Sequence, residues 1–112
     1  MSNEVGFIKG PFGFHINYPN GWTASVQWGI GNYCSNYNQK DKGYSPEFLE
    51  SHTAEIASFP TTEFDNQDWW CEFPDGDIIK GWCNVAEVME FLNTVSKYGD
   101  FILSKDIVKG CN

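Results

Sequence analysis

Arginine is absent from this 112-residue chain. All seven bases are lysines, they face fifteen acids, and the net charge is −8. Lysine and arginine carry the affinity for phosphate backbones and anionic membranes, so neither direct nucleic-acid binding nor membrane attachment is expected. CxxC pairs are missing too. Cys34, Cys71, Cys83 and Cys111 stand far apart, whereas structural zinc sites bring their ligands in close pairs. A zinc set drawn from Cys34, Cys71, Cys83 and His52 therefore has no spacing to support it. No apolar run approaches the ~20 residues of a membrane span. The start, MSNEVGFIKG, has no basic stretch leading into an apolar one, so no secretory signal is read there. A reducing cytoplasm follows as the expected compartment, without disulfides. The phosphate loops GxGxxG and GxxxxGK[ST] and the nucleophile elbow GxSxG do not occur. No cofactor, metal or catalytic motif is expected.

Aromatic residues, in contrast, make up 17% of the chain. A chain of this length forms one domain with a core of its own, and much of that core must be ring against ring. The stretch FGFHINYPNGWTASVQWGIGNYCSN reads as a β-hairpin. Phe12, Phe14, Ile16 and Tyr18 alternate on one strand, and Trp22, Ala24, Val26 and Trp28 on the next. A two-residue Asn20-Gly21 loop would put these sets on opposite faces. A three-residue Pro19-Asn20-Gly21 loop pairs Tyr18 with Trp22, Ile16 with Ala24 and Phe14 with Val26, giving one apolar face. Proline sets φ early in such a turn, and glycine takes its left-handed position. His15, Asn17, Thr23, Ser25 and Gln27 fall on the other face, which is expected to meet water or a partner.

Gly29 to Ser51 is polar and turn-rich, with Gly29 and Gly31 supplying backbone freedom and Tyr33 read as its anchor. Thr53–Phe59 reads as a third strand ended by Pro60. DWWCEF and DIIKGW flank Pro74-Asp75-Gly76 and suggest a second hairpin. Asn84 and Glu87 form a capping-box pattern ahead of a helix, with Cys83 and Val88 as its hydrophobic staple. Val85, Val88, Phe91, Leu92 and Val95 recur at helical spacing, and Gly99 is read as the stop. The tail DFILSKDIVKGCN fits a short strand or a helical turn. Strands followed by one helix predict an α+β fold: an antiparallel meander of about four to five strands, its aromatic face covered by the C-terminal helix.

Cys34 with His15 or His52 has the ingredients of a thiol nucleophile but no surrounding signature. Asp65–Asp68 and Asp75–Asp77 resemble pieces of calcium loops without the full pattern. The stronger feature is a window from Gly43 to Ile79 with no lysine. Within it Glu63, Asp65, Asp68, Glu72, Asp75 and Asp77 interleave with Phe64, Trp69, Trp70 and Phe73. Acids around aromatic anchors suit a basic protein surface. The predicted partner-binding residues are Glu63, Asp65, Asp68, Trp69, Trp70, Glu72, Asp75 and Asp77. Acids two apart on a strand, ~7 Å, would also match nucleotide spacing and so imitate nucleic acid.

NGWTASVQWGIGNYCSN, AEIASF, FPDGDIIKGW and VAEVMEFLNTV together resemble small uncharacterised proteins of tailed bacteriophages and mobile elements, over roughly residues 14–95. The resemblance carries no catalytic residue across. It implies a phage accessory protein in the cytoplasm of a bacterial host, and by class an inhibitor of host defence. The expectation is thus a non-enzymatic acidic protein that binds a basic host protein. The alternative is a small-ligand domain with an aromatic pocket between sheet and helix.

Overall fold

The computed structural model describes residues 2–29, 34 and 50–101. The fold is α+β: among the described residues, a five-stranded antiparallel sheet in the order β1-β2-β3-β4-β5, with one α-helix. The strands are β1 (Gly6–Lys9), β2 (Gly13–Asn17), β3 (Trp22–Gln27), β4 (Ala54–Pro60) and β5 (Lys80–Cys83), and the helix is α1 (Val85–Ser96). The β2–β3 hairpin has the expected register, with Phe14 opposite Val26 and Ile16 opposite Ala24. Its turn closes through Tyr18 N–H to the Trp22 carbonyl at 2.8 Å and Gly21 N–H to the Tyr18 carbonyl at 3.1 Å. β1 was not expected. It is four residues long, and Phe7 on it is 83% exposed, so it carries little of the apolar alternation that marks a strand.

α1 covers the aromatic face. Trp22, Ala24, Val26, Ala54, Ile56, Cys71, Cys83, Phe91 and Val95 form the buried cluster, with Phe14, Tyr18, Trp28 and Phe73 packed against it. At the helix start, Asn84 Oδ1 accepts from Glu87 N–H at 2.9 Å, and Glu87 Oε1 accepts from Asn84 N–H at 3.0 Å. Helix formation here is local: both partners of the capping box lie within four residues. The other end differs from expectation. α1 stops at Ser96, before Gly99, and Gly99 is not left-handed. The hairpin turn explains this. Asn20 Nδ2 donates to the Val95 and Tyr98 carbonyls, Tyr18 Oη to Leu92 and Trp22 Nε1 to Gly99. Side chains far away in sequence thus satisfy carbonyls that a left-handed glycine cap would otherwise turn toward.

The second sheet face is a correction. It is largely covered: Asn17, Thr23, Ser25 and Phe59 are buried, and His15 and Gln27 are half-buried. Asn17 Nδ2 donates to the carbonyls of Ser2 and Glu4, both at 2.9 Å. Thr23 Oγ1 donates to Asn17 Oδ1 at 2.8 Å and lies 2.8 Å from Thr61 Oγ1. A hydroxyl has one proton, so Thr61 must be the donor in that second bond. Around this polar chain, His15, Phe59, Phe64 and Trp70 close a layer of rings, with Phe59 and Trp70 stacked at 4.7 Å. Among the described residues no buried side-chain nitrogen or oxygen is left unbonded.

The second hairpin is also corrected. Its turn exists: Gly76 N–H reaches the Phe73 carbonyl, and Phe73 N–H the Asp77 carbonyl, both at 2.8 Å. The first flank, Asp68–Phe73, is not a strand: the 3₁₀ turn Gln67–Trp69 runs into it, and none of Trp70 to Phe73 lies in a strand. The physical reason is that the two tryptophans part. Trp70 stacks on Phe59 in the second layer, whereas Trp69 meets Phe101, which packs on Trp22 beside the helix. β5 pairs instead with β4, through a bulge between Ala54 and Ile56. The readings of Gly31 and Tyr33, and of the tail beyond Phe101, lie outside the described residues.

Candidate functional site

Residues 61–77 leave β4 at the end of the sheet and wrap from the second layer to the helix side. Asn66 and Asp75 shape the wrap: the Asn66 carboxamide oxygen accepts from Asp68 N–H at 3.2 Å, and an Asp75 carboxylate oxygen from Asp77 N–H at 2.9 Å. Such local bonds favour turns over strands. Of the predicted partner-binding residues, Asp65, Asp68, Glu72, Asp75 and Asp77 are exposed, and Glu63, Trp69 and Trp70 are half-buried. The tryptophans face their own protein, with Trp70 Nε1 donating to the Phe64 carbonyl at 3.2 Å. Phe64, an aromatic of the acidic window outside the predicted partner-binding residues, is 40% exposed. No residue from 63 to 77 lies in a strand, so the strand-spaced imitation of nucleotides does not hold.

A groove of about 470 Å³ opens between α1 and the stretch 71–74. Ile56, Cys71, Phe73 and Phe91 line its floor, and the Phe73 and Phe91 rings stand 6.0 Å apart. Glu72, Glu87 and Glu90 stand on its walls with one cation, Lys80, whose ammonium lies 3.6 Å from Glu87. Sequence spacing gave no sign of this groove, because its two walls are joined only by the fold. A smaller apolar hollow of about 160 Å³ lies at the other end of the helix, beside Trp28, exposed His52, Val85 and Met89.

The cysteines differ in state. Cys34 and Cys83 are free thiols, 0% and 1% exposed. Cys34 Sγ lies 3.7 Å from the Gly29 carbonyl, which accepts its proton. A thiol nucleophile needs access that Cys34 lacks. Burial raises the Cys83 pKa, Glu87 raises it further, and Lys80 lowers it, so Cys83 is a neutral thiol at pH 7. Cys71 is disulfide-bonded, contrary to the expectation of four reduced thiols. Among the described residues no three His, Cys, Asp or Glu side chains cluster as metal ligands. Burial lowers the pKa of His15, which packs against both Phe59 and Phe64. Among the described residues no helix is long and apolar enough to cross a membrane. Comparison with protein families, curated proteins and solved structures finds no match to this chain.

Proposed function

We propose that this chain is a non-enzymatic acidic interaction protein, a phage-type accessory protein or anti-defence inhibitor that docks on a basic host protein in the bacterial cytoplasm. One observation carries the reading. Asp65, Asp68, Glu72, Asp75 and Asp77 are all exposed along a single segment that has no lysine in it. Such a surface speeds encounter with a basic partner and rejects acidic ones. Phe64 adds an apolar contact at its start. Neither nucleic acid nor a membrane belongs to the proposal, since both repel a chain of net charge −8. A reducing cytoplasm would keep Cys71 as a thiol, so the docking surface is argued without its disulfide.

The test is capture from bacterial lysate by the immobilised chain. A parallel column carries Asp65→Asn, Asp68→Asn, Asp75→Asn and Asp77→Asn together, which keeps the turn acceptors and removes the charge. A partner retained at low salt by the natural chain alone, and released as salt rises, is the expected result. Equal retention on both columns, or none on either, sinks the reading.

The groove beside α1 favours a second reading, a small-ligand domain, because about 470 Å³ lies in the size range of ligand sites. A thermal-shift screen with nucleotides and metabolites checks it. A ligand at about a hundred times its Kd adds ~2.7 kcal/mol of stability, and silence across the screen removes the reading.

A further inference from the structure

The groove between α1 and residues 71–74 differs from the outer acidic segment in being walled and floored by rings. We infer that it receives the side chain of an arginine presented by a partner protein; this rests on the reading of the chain as a binder of basic proteins. Three features point to that occupant. First, the charge of the described lining residues is one-sided. Glu72, Glu87 and Glu90 stand around the groove against Lys80, and Lys80 is already turned to Glu87. The side chains of Glu72 and Glu90 have no hydrogen-bond or ionic partner among the described residues. Second, the floor is aromatic and apolar. Phe73 and Phe91 line it with rings 6.0 Å apart, and aromatic rings suit a flat, weakly hydrated cation, which guanidinium is and ammonium is not. Third, the groove is larger than one side chain needs, leaving room for the flanking backbone of a peptide. The methylene stem of arginine would cover Ile56 and Phe91 while its head reaches the rim, a division that suits amphipathic side chains. A neutral metabolite would use the rings but leave the carboxylates unanswered. An anionic one would meet them as repulsion.

The experiment is an NMR titration of the full chain with the blocked peptide acetyl-Gly-Arg-Gly-amide, and in parallel with the same peptide carrying citrulline. Citrulline keeps the shape of arginine and loses the charge. The arginine peptide is expected to shift the amides of Phe73, Glu90, Phe91 and Thr94 toward saturation at about 10 mM, and the citrulline peptide to bind about tenfold more weakly. Glu72→Gln and Glu90→Gln lie on exposed positions and leave the fold intact; each is expected to weaken the arginine peptide about two- to fivefold. Lys80→Gln is expected to tighten it, since the competing cation is removed. Absence of shifts at these four amides overturns the inference, and so does equal binding of the citrulline peptide. Partner capture through the outer aspartates does not enter this titration, so the two readings fail separately.

Discussion

At Gly21 the backbone takes φ +84°, and a Cβ placed there would lie 3.3 Å from the Cβ of Phe101. Left-handed backbone is costly for any L residue and most costly for a β-branched one. Gly21→Val is therefore expected to cost on the order of 1–2 kcal/mol from the backbone alone. Crowding against Phe101 adds to that, and the urea midpoint reads the total. His15 makes a different prediction. Its imidazole packs against two rings, and burial lowers its pKa below the ordinary 6.5. The unfolded chain then binds the proton more readily than the fold does. The contribution of neutral His15 is complete above pH 6.5 and is lost as pH falls through that value toward the lower folded pKa. Urea midpoints measured between about pH 7.5 and pH 5 should fall for the natural chain. His15→Gln should flatten that part of the slope. A slope that survives the substitution would assign the effect to other groups.

Strand β3 tests the two layers directly. Val26 faces the helix side and Ser25 the second layer, and both are buried. Ser25→Asp and Val26→Asp each place a charge out of water, so each should unfold the protein or nearly so. Gln27→Asp, at the half-buried end of the strand, should cost less than about 1 kcal/mol. A harmless Ser25→Asp would mean that the second layer is loosely closed. That layer was the part of the fold least legible in the sequence. The β2–β3 register could be read because two apolar sets and a Pro-Asn-Gly turn leave only one consistent pairing. The helix start could be read because its capping partners are near neighbours. Asn17, Thr23 and Ser25, however, look like solvent residues until Ser2, Glu4 and Thr61 supply their hydrogen bonds from elsewhere. The helix end was hidden for the same reason, since Asn20 holds it. Of the candidate site, the exposure of Asp65, Asp68, Glu72, Asp75 and Asp77 followed from composition. The inward packing of Trp69 and Trp70 did not, because a pair of adjacent tryptophans does not announce that its members serve different layers.

Across the whole molecule, the cysteines sort into classes that chemistry can separate. Without denaturant or reductant, iodoacetamide should leave Cys34, Cys71 and Cys83 unmodified, the free thiols because they are buried and Cys71 because it is bonded. In urea without reductant, Cys34 and Cys83 should react and Cys71 should not; peptide mass mapping reads each one. Rapid native labelling of Cys34 would contradict its packing. The sheet order has a consequence of a different kind, for the course of folding. β2 and β3 meet through a tight turn and are expected to zip within ~1–10 μs. β4 reaches β3 only when Gln27 meets Glu55 and Trp22 meets Pro60, so a long stretch of chain must close first. Until then the young hairpin lacks Phe59 and Thr61, which arrive with β4. Its future inner face shows Asn17, Thr23 and Ser25 to water, and water satisfies them. The incomplete sheet is therefore sticky on one side instead of two, and a buried layer that looks hydrophilic in the sequence shields the chain from its neighbours during the interval before it is buried.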